Sequence, residues 1–217
     1  FSLSPFIRYS QQSAVLSSIV ASARRSGHIV MYLPDGDRLR KNGFFITPNA
    51  LREGMFDLQN LSQEACAAML ATHRDDLKGM KVDKATMERY FKDTQLQRIT
   101  DYSGDTMPLV DLLNYAQERK AHAPMCYSVL VDILMNQDEK PFLVVMDDFN
   151  GYYDRGQYFH MAYDEDVREP IPYEKINLFE QALAAMALLA GDDEDKKAES
   201  PKMMKRGGII VAITESH

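Results

Sequence analysis

Three uninterrupted aliphatic runs stand out along the chain: Ile29-Val30-Met31-Tyr32-Leu33, Phe142-Leu143-Val144-Val145-Met146 and Gly208-Ile209-Ile210-Val211-Ala212-Ile213. None alternates polar with apolar positions, and continuous runs of this length are the mark of strands covered on both faces of a parallel sheet. Ahead of the first run, Ala14, Val15, Leu16, Ile19, Val20 and Ala23 recur at helical spacing between Ser13 and Arg25. Arg24 and Arg25 fall in the last turn, where cations complement the helix dipole, and Gly27 supplies the stop. Pro34-Asp35-Gly36 closes the strand that follows. Helix, tight turn and buried strand in that order predict an α/β sheet protein.

Between the first two strands the pattern changes. Gly36 to Leu61 is rich in Gly, Pro, Asn and charge and reads as an excursion from the sheet. Ser62 is expected to cap a helix through Ala65, Ala68, Met69 and Leu70. A polar, weakly helical stretch covers Asp83 to Asp101, and Pro108 stands where a first helical turn tolerates proline, ahead of Leu109, Leu112, Leu113 and Ala116. A further apolar helix is expected over Tyr127 to Leu134. Gly151 to Glu174 is aromatic and acidic without a clean period, and Leu178 to Ala190 is an alanine-rich helix. There is no internal repeat. The expectation is one α/β domain over residues 1–217, with an inserted region at about 36–125 and an acidic loop at about 191–201.

Composition narrows this picture. Apolar residues make up 45% of the 217, enough for a real core, so global disorder is excluded. Cys66 and Cys126 lie far apart and form no CxxC pair, which argues against a disulfide framework or a zinc site and fits a reducing compartment. No apolar run approaches the ~20 residues of a membrane span. The chain opens at Phe1 without an initiator methionine or a signal-peptide pattern, so its start is expected not to be the start of the gene product.

The net charge of −7 is awkward for a protein whose main task is coating nucleic acid. Basic residues nevertheless cluster at Arg24-Arg25, at Arg38, Arg40 and Lys41, and at Lys202, Lys205 and Arg206. Acidic runs at Asp164-Glu165-Asp166 and Asp192-Asp193-Glu194-Asp195 offset them, and such runs are most simply solvated surface. The balance predicts mainly protein partners, local RNA contact at the basic clusters, and no DNA.

In sheets covered on both faces, function gathers at the carboxyl ends of the strands. Here those ends carry Pro34-Asp35, Asp147-Asp148 and Thr214-Glu215-Ser216. An aliphatic strand ending in Asp-Asp is the Walker B pattern, whose carboxylates hold Mg²⁺ and can orient a water. Alone it is weak, because a carboxylate there can equally cap the next turn. A second strand ending in small polar residues, with Thr214 first, matches the sensor position of AAA+ and STAND P-loop NTPases. Other chemistry fares worse. His28, His73, His122, His160 and His217 are scattered, with none at ligand spacing from another His or a Cys. Tyr152, Tyr153, Tyr158, Phe159 and Tyr163 could stack on bases, but an interface or core role is simpler.

Three blocks carry a family resemblance: Ser13 to Asp35, Pro141 to Tyr153 (PFLVVMDDFNGYY) and Met204 to Ser216 (MKRGGIIVAITES). They resemble the death-associated protein family, GTP-binding proteins of the mitochondrial ribosomal small subunit. The resemblance implies a P-loop NTPase-like fold of AAA+/STAND type, with a parallel sheet, flanking helices, long insertions and an incomplete domain at both ends. It also implies a guanine nucleotide, GTP or GDP, with Mg²⁺. Asp147 would hold the metal, Asp148 would act through its waters, Ser13 would be the metal's other protein contact and Thr214 would take the sensor position. Mitochondrial ribosomal proteins and small-subunit rRNA are the implied partners, in the mitochondrial matrix, with a position in the head of the subunit.

The resemblance sets a sharp test. A P-loop reads Gly-x-x-x-x-Gly-Lys and then Ser or Thr, the hydroxyl residue opening the helix. Ser13 stands at the hydroxyl position, but Phe6 to Gln12 contain no glycine and Gln12 replaces the lysine. Two explanations stay open: nucleotide binding has been lost and the scaffold kept, or the sequence joins residues around Gln12 that are not neighbours in the gene product. Either way these residues do not support an active NTPase. The leading expectation is a structural ribosomal constituent. An active NTPase switch in cell-death signalling is the alternative, and a nonenzymatic adaptor outside the ribosome the third.

Overall fold

The computed structural model describes residues 5–33, 46–91, 106–149, 158–161, 168–172, 175–184 and 206–212. In chain order its elements begin with α1 (Pro5–Arg25), β1 (Ile29–Leu33), β2 (Ile46–Pro48), β3 (Phe56–Leu58), α2 (Gln59–Leu77), β4 (Lys81–Asp83) and α3 (Lys84–Phe91). They continue with β5 (Thr106–Pro108), α4 (Leu109–Glu118), α5 (Ala123–Asn136), β6 (Phe142–Met146), β7 (Phe159–Met161), β8 (Arg168–Pro170), α6 (Asn177–Ala184) and β9 (Gly207–Val211). The chain divides into two compact units. One holds Phe1–Gly43, Met135–Lys175 and Ala182–His217, and the other Phe44–Leu134 and Ile176–Gln181.

The first unit is built on a parallel sheet in the order β1-β6-β9. The three strands are the three aliphatic runs of the sequence, and they pair in register: Val30 opposite Leu143, Val144 opposite Ile209. Leu16 and Val20, one turn apart on α1, bury against Val30 and Val145, with Ile19, Ala23, Tyr32, Leu143 and Ile210 packed around them. The helix ends as Gly27 requires: at φ +81° it lets its own amide reach Arg24 O (3.1 Å) and the His28 amide reach Ala23 O (3.0 Å). Phe159–Met161 and Arg168–Pro170 pair as an antiparallel ribbon in the stretch whose sequence shows no period.

The second unit is helical, with two short antiparallel ribbons, β2-β3 and β4-β5. Its core includes Leu58, Cys66, Leu77, Val82, Leu109, Leu112, Leu113, Tyr127 and Leu130, all buried. Burial raises the Cys66 thiol to about 12, and both cysteines are free, so neither serves as a disulfide partner. The α2 side chain of Gln63 donates to the carbonyls of Ala116 (3.2 Å) and Gln117 (2.8 Å), satisfying acceptors that the end of α4 leaves open.

A buried polar network ties four segments of this unit together. Asp57 on β3 accepts from Asn49 Nδ2 (2.9 Å) and Asn177 Nδ2 (3.1 Å), and Asn177 Nδ2 also lies 3.1 Å from Ser128 Oγ on α5. Asn49 Oδ1 in turn accepts the amides of Leu51 and Arg52, folding the turn after β2.

Three local expectations are corrected. The first helix begins at Pro5, so Ser13 lies inside it rather than at its start. Ser62 caps nothing: it is 1% exposed within α2, which starts at Gln59 directly after β3, where Gln59 Nε2 reaches Thr47 Oγ1 (3.3 Å). Pro108 ends β5 and precedes α4, with an extended ψ of 133°, so the ribbon rather than the helix uses its fixed φ. The helix over Leu178 to Ala190 is observed to Ala184, and 185–190 lie outside the described residues.

Candidate functional site at the strand ends

Helix α1 runs back along the sheet from which β1 departs. Twelve residues separate Ser13 from Arg25, a rise of roughly 18 Å, close to the roughly 16 Å of a five-residue strand. That match brings Ser13, at the far end from the Gly27 turn, level with the carboxyl ends of the strands. There Asp147 follows β6, its amide bonded to Leu33 O (2.9 Å), while Phe149 N reaches Ala212 O (2.8 Å). The ends of β1, β6 and β9 are thereby held side by side.

The carboxylate of Asp147 is the centre of this edge. It is 7% exposed, and both of its oxygens are engaged: Oδ2 accepts from Ser13 Oγ at 2.6 Å and Oδ1 from the amide of Asp148 at 2.9 Å. A hydroxyl so close to a carboxylate forms a charge-assisted bond of the stronger kind. Asp148 adopts φ 52°, a left-handed conformation that Asp tolerates better than most residues. Beside the pair lies Tyr32 on β1, and Ser17, exposed, stands one helical turn beyond Ser13. Burial pushes the Tyr32 hydroxyl above its ordinary range; the Ser17 hydroxyl lowers it and the charge of Asp147 raises it.

The structure thus joins Ser13 to the distant pair Asp147 and Asp148. It adds Tyr32, which the charge of Asp147 reaches and whose only sequence signal was a hydroxyl inside an aliphatic run. Thr214 lies outside the described residues, as do Arg38, Arg40, Lys41, Lys202 and Lys205. Arg24 and Arg25 are exposed in the last turn of α1, with Arg25 Nε on Ala21 O (3.2 Å). Arg206 is exposed too, and its guanidinium donates to the carbonyls of Asp138 (3.3 Å) and Glu139 (3.4 Å) ahead of β6. Tyr158 is buried, against any base-stacking role for that ring.

A guanine nucleotide with Mg²⁺ fits this edge only in part. The hydroxyl and carboxylate that would share the metal are together, but the phosphate cradle is not. A cradle needs free amides wrapping the phosphates next to the hydroxyl residue. Residues 5–12 are instead helical, so the open amides of α1 lie in the turn that follows Pro5, which itself has no N–H, several residues before Ser13, roughly 8 to 10 Å along the axis. The first glycine of the chain is Gly27, and Gln12 offers no ammonium to a phosphate.

Among the described residues no helix is long and apolar enough to cross a membrane, and no group of three or more His, Cys, Asp or Glu could hold a metal ion. A search of curated proteins finds no match. A family model described as mitochondrial ribosomal death-associated protein 3 matches residues 9–216.

Proposed function

The chain belongs to the mitochondrial ribosomal death-associated protein 3 family, and from that premise we propose that it is a structural constituent of the small subunit of the mitochondrial ribosome. The family is mitochondrial and ribosomal, which places the chain in the mitochondrial matrix among ribosomal partners. The observation that carries the proposal is the extent of the match, nearly the whole chain from residue 9 to residue 216. A position in the subunit head, with Arg24, Arg25, Arg38, Arg40, Lys41, Lys202, Lys205 and Arg206 meeting rRNA, completes the reading. The exposure of Arg24 and Arg25 at the end of a helix with no acidic residue supports it.

The competing reading is a P-loop NTPase switch that turns over GTP in cell-death signalling. It draws on the Ser13–Asp147 pair, but it needs a phosphate cradle beside Ser13, where α1 is continuous. Sedimentation of the tagged chain from a mitochondrial lysate separates the two. Co-migration with the small subunit that ribonuclease abolishes is expected; a light peak indifferent to nuclease overturns the ribosomal assignment.

A further inference from the structure

Basic residues that the sequence scatters from Arg24 to Arg206 meet at one end of the parallel sheet. We propose that the amino-terminal end of the β1-β6-β9 sheet is a contact for RNA backbone, that Arg24, Arg25, Lys140 and Arg206 are the cations that meet its phosphates, and that the opposite end, with Asp147, is turned away from the RNA. The proposal rests on the ribosomal reading above. It adds where the RNA lies, a further cation in Lys140, and the kind of contact made.

The register brings these residues together. All three strands run parallel, so their first residues share one end: Ile29 lies opposite Phe142, and Phe142 opposite Gly207. The Ile29 amide bonds Pro141 O (2.9 Å) and the Phe142 amide bonds Arg206 O (2.9 Å), which sets the residues ahead of the strands in one row. Neighbouring strands lie about 4.8 Å apart, so the three starts span only about 10 Å. Arg206 stands in this row with Lys140 next to it, and the Gly27 turn puts Arg24 and Arg25 beside the start of β1.

Charge decides the partner. Arg24, Arg25 and Arg206 are exposed, and Lys140 is half-buried. The acidic residues among those described at this end are Asp138 and Glu139, both exposed. Four cations therefore outweigh two carboxylates locally, in a chain whose net charge is −7. Such a reversal of sign favours a polyanion. Arg206 is also held in place: its Nη1 donates to the carbonyls of Asp138 (3.3 Å) and Glu139 (3.4 Å), fixing a planar fork of five donors at the surface. Among the described residues at this end no Phe, Tyr or Trp is exposed, Phe142 being buried. The contact is then with phosphate charge rather than with base faces.

The test titrates the whole chain against a short RNA hairpin over a series of salt concentrations. Arg24→Ala with Arg25→Ala should lower the slope of log affinity against log salt by about two, shrinking the affinity change between about 50 and 200 mM salt by about tenfold. Lys140→Ala and Arg206→Ala should each lower the slope by about one. Asp138→Asn with Glu139→Gln should tighten binding several-fold, an effect that a merely structural role for these residues would not produce. Lys81→Ala with Lys84→Ala, exposed cations of the other unit, should leave the slope unchanged. An unchanged slope in the arginine variant, an equal loss in the Lys81 and Lys84 control, or retention of polyglutamate in preference to the RNA overturns the proposal. Sedimentation keeps the two readings apart. A light, nuclease-indifferent parent chain overturns the ribosomal reading and this proposal with it, whereas a parent that co-migrates with the small subunit while the arginine variant keeps the full salt slope overturns this proposal alone.

Discussion

Asp147 and Asp57 are buried to the same degree, each 7% exposed, yet they are held in opposite ways. Asp147 ends a parallel strand, where the next backbone amide and a helix hydroxyl come to its two oxygens separately. Asp57 lies on a short ribbon, and two side-chain amides, from Asn49 and Asn177, converge on its single Oδ1. The difference is one of supply. A strand end has a free amide as its neighbour, so a carboxylate there is half satisfied by local geometry. A ribbon spends its amides on pairing, so the second carboxylate depends on side chains from distant segments.

That contrast predicts unequal sensitivity. Asn177→Ala removes a donor from Asp57 and a partner from Ser128 at once, leaving a buried carboxylate served by Asn49. A cost of about 3 kcal/mol is expected in urea unfolding, since stranding a buried charge exceeds the loss of an ordinary hydrogen bond. Ser13→Ala should cost about half as much, about 1.5 kcal/mol, because the Asp148 amide stays in place. If the two variants reverse in order, the distinction between local and distant supply is wrong.

The same contrast explains what could be read in advance. The place of Asp147 at a strand's carboxyl end was legible because continuous aliphatic runs announce parallel strands. The helix before β1, its Gly27 stop and all three sheet strands were legible for the same reason: each is a local pattern. The network around Asp57 was not. Asn49, Asp57, Ser128 and Asn177 are ordinary polar residues, 120 positions apart at the extremes of one bond, and nothing local marks them as partners. Ser62 misled for a related reason: a serine before an apolar stretch signals a cap, but here β3 runs straight into α2 and tertiary burial absorbs the hydroxyl. The ribbon of β7 and β8 escaped because three-residue strands leave no countable period.

Acidity offers a finer test. Burial raises the Asp57 carboxyl above its ordinary value, and the bonds from Asn49 and Asn177 and the charge of Arg52 offset part of that rise. A folded-state value above the unfolded one means that the native state holds the proton more tightly. The resulting stability is complete below the unfolded value and is lost as pH rises through the folded one. Asp57→Asn keeps an acceptor oxygen for both amides but cannot ionise. Its stability relative to the parent should therefore climb as pH rises through the acid range, by under about 1 kcal/mol. Denaturation series at several pH values check this, and a flat difference would mean that burial does not penalise the Asp57 charge.

The smallest effect should come from Arg52. Its guanidinium makes a two-pronged pair with Glu180, 2.8 and 3.2 Å, but its side chain is 45% exposed. Water screens such pairs, so Arg52→Ala should lower stability by only about 0.5 kcal/mol. The more telling readout is elsewhere. Arg52 is the one cation among the groups that lower the Asp57 carboxyl, the others being neutral amides. Removing it should move the Asp57 titration, followed by carboxyl carbon NMR, further upward while the Asn49 and Asn177 bonds persist. No movement would show that amides alone hold this carboxylate, and the contrast with Asp147 would then rest wholly on hydrogen-bond supply and not on charge.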